Sequence, residues 1–300
     1  MKWWKPAILL MLAVLAIGWW WLLRPRPRLV TFQTSQKETI GPGFSYDSYG
    51  AVLETDVDSQ GLVAYQALKA NRHRLDDFAA ALGTLSPATY SRWTREEQIA
   101  FWINAYNSLT LEVIINHYPI RPSLLRSVIF PRNSIRQIPG VWTELQFEVM
   151  GRKLTLDHIE HQTLRKEFAE PRIHMALVCA GKGCPPLRQE PYVGSRLEEQ
   201  FADQARKFLS QPEKFRIDRL QNRVYLSPLF EWFGGDFVAR YGGQEKAREG
   251  RNAAENAVLN FLAAHLEPDD RRYLTQADYQ VVYLDYDWSL NETTAPKEIS

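Results

Sequence analysis

The only two cysteines of the 300 residues, Cys179 and Cys184, stand five positions apart in HMALVCAGKGCPP. Gly181 and Gly183 between and beside them can take positive φ and turn successive backbone N–H groups inward. Such a nest, with Lys182 in it, favours a thiolate or an oxyanion. Four chemistries fit the sulfurs. They are inert core thiols, a Cys179–Cys184 disulfide, zinc ligands together with His161 and His174, or a Cys179 nucleophile with His161 or His174 as its base. The C-x4-C spacing is wider than the usual zinc knuckle, so no metal and no cofactor is expected.

Partners for a nucleophile lie in other segments. In LDHIEHQTLR, Asp157 and His161 are four apart, so a helix brings them together and Asp157 orients the imidazole and fixes its tautomer. His158 reads as a partly exposed residue near the helix start. His174 precedes Cys179 by five, so the two cooperate only if the intervening strand ends before the cysteine. Asn104 and Asn107, three apart in AFWINAYNSLTLEVIINHY, share a helix face in an apolar run. Buried amides demand partners, which leaves two roles open. They pin neighbouring loop backbone, or they face a pocket, Asn104 as an oxyanion donor and Asn107 as a substrate contact. Trp232 in SPLFEWFGGDF is a candidate groove residue, whereas Phe230, Phe233 and Phe237 recur at helical spacing and read as core. Asp287 and Trp288 read as structural.

These residues need elements to hold them. Residues from Leu62 to Leu85 carry helical spacing. Thr94 with Glu97 forms a capping-box pattern that opens a long helix ended by Pro119. LQFEVMGRKLTL alternates around Gly151 like a hairpin, and KFRIDRLQNRVYLSP does so around Asn222. A helix starts near Thr155 or Asp157. RIHMALVC reads as a buried strand, SRLEEQFADQARKFL and NAAENAVLNFLAAHL as helices, and YQVVYLDYDWSL as a closing strand. The expected class is α+β, a single domain with a central buried helix on a small, largely antiparallel sheet.

The N-terminus is a separate physical object. Pro6–Leu23 is uninterrupted by charge, spans roughly 27 Å as a helix, and has tryptophans at both ends. No small-x-small cleavage site follows it, so it reads as an uncleaved transmembrane anchor rather than a signal peptide. Residues 1–5 then form a cytoplasmic tail, 24–46 a linker, 47–292 the domain and 293–300 a loose tail. The formal charge of +1 hides an asymmetry. Lys2, Lys5, Arg24, Arg26 and Arg28 meet no acid in residues 1–30, so the body is mildly acidic. That body has no electrostatic footprint for nucleic acid.

DSQGLVAYQALKA, FWINAYNSLTL, SIRQIPGVW, LTLDHIEHQTLR, RIHMALVCAGKGCPP, LSPLFEWFGGDF and YDWSLNE together resemble one family, the domain of unknown function 547. The resemblance runs in order from about residue 47 to 292. It implies a bacterial exported or membrane-anchored protein with one such domain, and no assigned reaction. Gly181 departs from the family pattern, in which serine often stands. Two functions are therefore expected. One is a thiol-dependent hydrolase or acyl transferase acting on a peptide or envelope component at the periplasmic face of the inner membrane. The other is a non-catalytic envelope module that binds a protein partner, with a structural Cys179–Cys184 disulfide.

Overall fold

The computed structural model describes residues 27–31, 44–243 and 250–293. The apolar run Pro6–Leu23, most of the 24–46 linker and the end of the tail lie outside the described residues. Among the described residues no helix is long and apolar enough to cross a membrane.

The long helix Arg95–His117 organises the molecule. Its start is fixed by a reciprocal cap: Thr94 Oγ1 accepts from Glu97 N at 3.2 Å and Glu97 Oε2 accepts from Thr94 N at 2.7 Å. Every residue from Ile99 to Ile115 is buried, so helices or loops cover all its faces. The helices Asp47–Asp56, Tyr65–Ala70 and His73–Thr84 pack around it. Burying Phe101, Ile103, Leu109 and Ile114 contributes about 1.5–3 kcal/mol each relative to exposure.

The described residues form a mixed α+β fold of about ten helices with two small three-stranded sheets. In the first, β2 (Leu145–Val149) and β3 (Arg152–Leu154) form an antiparallel hairpin. Its turn uses Met150 and Gly151, both at positive φ, which matches the twist of the strands. β1 (Arg28–Leu29) joins β2 in parallel. In the second, β4 (Phe215–Asp218) and β5 (Arg223–Leu226) are antiparallel across Asn222, and β6 (Gln280–Tyr283) joins β5 in parallel. The expected single, largely antiparallel sheet is thus two sheets, each with one parallel edge. Hairpins are written locally, whereas each third strand arrives from a distant part of the chain.

RIHMALVC is not a strand. Glu170 caps a turn of 3₁₀-helix over Pro171–Met175, and the residues that follow find their hydrogen bonds in a side chain rather than a ladder. Asn107 Nδ2 donates to Ala176 O at 3.0 Å and its Oδ1 accepts from Val178 N at 2.9 Å. This satisfies the buried backbone without a sheet neighbour. The closing segment also departs from expectation. After Tyr283 it leaves the sheet and runs beside the cysteine loop, where Lys182 N donates to Ser289 O and Gly183 N to Asp287 O. Two apolar cores result, one around the long helix and one around Phe208, Phe230, Phe237 and Phe261, with Tyr286 packed against both.

Candidate functional site

Between the two cores opens a cleft of about 580 Å³. Its walls carry Trp142, Trp232, Phe233, Tyr286 and Trp288, and its polar groups include Cys179, Cys184, His161, His174, Asp157 and Arg136.

The two thiols are free and in contact, with Cys179 Sγ 2.6 Å from Cys184 Sγ. The loop between them is built around Cys184. Its sulfur accepts from Cys179 N at 3.0 Å and lies 3.1 Å from the Tyr286 hydroxyl, which is 3.3 Å from Cys179 Sγ. The left-handed residue in this turn is Ala180, at φ 60°, and neither Gly181 nor Gly183 has a positive φ. Gly183 serves a different need. A Cβ there would stand 2.7 Å from the Tyr286 ring, so its absence lets the ring seat itself under the sulfurs. Behind the loop, buried Lys214 donates from Nζ to the carbonyl oxygens of Lys182 and Cys184. With the Lys182 and Gly183 N–H groups spent on Asp287 and Ser289, the loop presents its donors to a sulfur rather than to an oxyanion in the cleft.

These contacts divide the thiols. Burial alone raises the Cys184 pKa. Hydrogen bonds from Cys179, Tyr286 and the Gly181 backbone, with the Lys214 charge, outweigh it and lower the group to about 7. Cys179 moves the opposite way, well above its ordinary value, because its proton is committed to Cys184 and the site is desolvated. The sequence placed the thiolate on Cys179. The hydrogen bonds favour it on Cys184 instead, whose sulfur accepts from Cys179 N and from the Gly181 backbone.

The histidines stand on a second wall. Residues His158–Glu167 are π-helical, and Phe168 N closes on Thr163 O five residues back. The wide turn stacks positions four apart. Asp157 Oδ1 lies 3.5 Å from His161 Nε2, and Arg165 Nη1 lies 2.9 Å from His161 Nδ1. Arg165 continues through Nε and Nη2 to Asp236, at 2.6 and 2.9 Å. Asp236 Oδ2 in turn stands 2.8 Å from His174 Nε2. The buried His174 ring stacks on Phe233 with centroids 4.1 Å apart. Among the described residues neither histidine hydrogen-bonds to a sulfur, so the thiolate owes its stabilisation to the loop and Tyr286. Among the described residues no three His, Cys, Asp or Glu side chains gather as metal ligands.

The two asparagines lie elsewhere. Asn104 is spent on Tyr192, donating to its O at 2.7 Å and accepting from its N at 2.9 Å, and Asn107 is spent on Ala176 and Val178. Neither lines the cleft, so the roles assigned to Asn104 as oxyanion donor and Asn107 as substrate contact have no geometry to support them. Both amides pin loops. Trp232 does line the cleft, 47 % exposed and 5.0 Å from Tyr286. Trp288, read as structural, lines it too. Arg165, Asp236, Tyr286 and Arg136 went unread in the sequence. The (i, i+4) repeat Asp157, His161, Arg165 was a usable signal for the first. Arg136 is held over Phe130, Trp142 and Trp288 with its guanidinium 4.4, 5.4 and 4.9 Å from the ring centroids. Among the described residues no carboxylate pairs with it.

No curated protein and no solved structure is detectably similar to this chain. One family model matches, over residues 90–209. The matched stretch includes both cysteines, His161 and His174, while Trp232, Phe233, Tyr286 and Trp288 complete the cleft from beyond it and Asp236 braces His174. Residues 90–209 are a domain of the family described as "Protein of unknown function, DUF547".

Proposed function

We propose that this chain is a membrane-anchored envelope enzyme that hydrolyses, or transfers, an acyl group of a peptide or envelope component, with the Cys179–Cys184 pair as its reactive group. One observation carries the reading: both sulfurs line an aromatic-walled cleft, and one of them is lowered to about 7. The thiolate held at Cys184 adds to the acyl carbon. The bond to the leaving group breaks, and the leaving group takes the proton of Cys179. Water or an acceptor then displaces the sulfur and gives its proton to the Cys179 thiolate, which restores the starting pair, while Asp157 and Arg165 hold the His161 ring in the wall of the cleft. The functional unit extends over residues 47–292, since residues beyond the family match complete the cleft. Pro6–Leu23 anchors it, with the body in the periplasm of a bacterial cell.

A second reading has its own support. With the sulfurs already in contact, a thiol oxidant of the cell envelope that takes up two electrons and the two thiol protons joins them as a structural disulfide, and the chain is then a non-catalytic envelope module that binds a protein partner. Counting thiols in the full chain, expressed to the periplasm and purified without reductant, separates the two. Rapid reaction with iodoacetamide at neutral pH supports the enzyme. No reaction until reductant is added, together with a large loss of stability in Cys184→Ser, supports the module.

A further inference from the structure

The segment between the long helix and β2 has a composition of its own. From Tyr118 to Thr143 it contains Arg121, Arg126, Arg132 and Arg136 and no acid. Within it Leu124, Leu125, Val128 and Ile129 are 91, 85, 84 and 75 % exposed, a density of bare large aliphatics that no other stretch of the described residues shows. The backbone beneath them is tied down. Gln137 Oε1 accepts from Ser123 N at 2.9 Å while its Nε2 donates to Phe130 O and Pro131 O, and Arg126 Nη1 donates to Arg136 O at 2.9 Å. The fold therefore holds four apolar side chains outward on a short, pinned turn, with Arg121 and Arg132 exposed at its flanks and neither ion-paired among the described residues.

The first described residues after the apolar N-terminal run are tied to the same segment. Arg28, five residues after Leu23, donates to Pro139 O at 3.0 Å, and its backbone N donates to Glu144 O. We infer that the turn Ser123–Phe130 inserts its apolar side chains into the interfacial layer of a bilayer with anionic headgroups, its arginines meeting the phosphates. Aliphatic tips set among unpaired arginines have the chemistry of an interfacial membrane contact, and, resting on the proposed anchor Pro6–Leu23, the tie of Arg28 to Pro139 leaves only a few residues between the anchor and the segment that carries the turn. The Phe130 ring lies 6.4 Å from that of Trp288 in the cleft wall, so docking brings this wall close to the lipid surface.

The test uses the full chain in phosphatidylcholine vesicles with and without phosphatidylglycerol. In a Cys179→Ser/Cys184→Ser background, Leu125→Cys carries a spin label, and Leu220→Cys, 98 % exposed at the tip of the other hairpin, carries the control. Insertion makes the label at 125 several-fold more accessible to oxygen than to a water-soluble nickel relaxant, while the label at 220 shows the reverse. The wild-type chain gives an independent measure: trypsin cleavage after Arg132 slows several-fold when phosphatidylglycerol is present. If the labels at 125 and 220 are equally open to the nickel relaxant and cleavage is indifferent to lipid charge, the inference fails. A label at 125 that is immobilised without lipid also overturns it, in favour of a protein or second-copy contact.

Discussion

Arg165 Nη1 lies 2.9 Å from His161 Nδ1, and a guanidinium has no lone pair to offer. Nδ1 must therefore accept, so the proton of the neutral ring sits on Nε2, on the side of Asp157. One arginine thus fixes a tautomer, and through Asp236 it fixes the seat of His174 as well. Two histidines from separate segments are locked by a single bridging pair.

That bridge makes Asp236 the most sensitive point of the wall. Burial alone raises its carboxyl, but hydrogen bonds from His174 and Arg165 outweigh it and hold the group well below the usual carboxylate range. Asp236→Asn keeps the shape and loses the charge on both bonds. The partly buried site argues for a loss of about 2 kcal/mol. A urea midpoint that falls at unchanged slope is the expected result. A folded-state pKa below the unfolded one contributes stability that is present above about 3.9 and lost as the pH falls below it. The wild type therefore loses stability in acid faster than the variant. Equal midpoints at pH 7 would refute this account of Asp236.

The thiol pair makes a sharper pH statement. Iodoacetamide reacts with thiolate, so alkylation of Cys184 follows a titration with its midpoint near 7. Tyr286→Phe and Cys179→Ala each remove a hydrogen-bond donor and move the midpoint upward. His161→Ala leaves it in place, because that ring does not touch the sulfurs. Mass-spectrometric mapping of the alkylated residue against pH reads all three. A midpoint in the ordinary range near 8.5 for the wild type, or one that shifts on losing His161, contradicts the arrangement.

Much of this was legible from residues alone, and the exceptions share a cause. The Thr94–Glu97 cap, the buried run to Ile115, both hairpins and the Asp157–His161 pair are local signals, and all appear where spacing puts them. RIHMALVC misleads because a short apolar run looks the same whether its backbone pairs with a strand or with Asn107. The left-handed turn falls on Ala180, where L-residues seldom go, so Gly181 and Gly183 drew attention to the wrong positions. Arg165 and Asp236 are 71 residues apart, and only the fold brings them together.

Glu112 shows what a buried charge does inside that legible helix. Fully buried, its carboxyl is raised to about 8, first by desolvation and then by Asp76, against the pull of Arg72. Between about 4.5 and 8 the folded state holds a proton that the unfolded state has released. Stability therefore falls as pH rises through this window and levels off above it. Glu112→Gln, which mimics the protonated form, abolishes that slope and costs under about 1 kcal/mol at pH 7. Glu112→Ala, which also opens a cavity and takes one acceptor from Arg72 while Asp76 remains, costs about 3 kcal/mol. Unfolding free energies at pH 5, 7 and 9 decide it, and a wild type that gains stability from pH 5 to 8 beyond the contribution of other groups, with no change in slope on Glu112→Gln, goes against it.

Arg136 gives the cleft its direction. Three rings hold the guanidinium, burial and the neighbouring Arg126 lower its pKa without neutralising it, and no carboxylate among the described residues satisfies it. A cation fixed in an aromatic wall is ready for an anionic group attached to an apolar body. N-acetylphenylalanine is therefore expected to bind more tightly than its carboxamide, by the worth of a charge-assisted hydrogen bond, about 1.5–3 kcal/mol, or roughly ten- to a hundredfold. Trp142, Trp232 and Trp288 line the same cleft, so their fluorescence reports occupancy. Arg136→Gln brings the acid down to the affinity of the amide and leaves the amide unchanged, whereas Arg136→Lys keeps part of the preference. The measurement also runs in Cys179→Ser/Cys184→Ser, where binding survives although thiol chemistry is gone. Acid and amide binding the wild type equally well would leave Arg136 as a packing residue of the wall and no more.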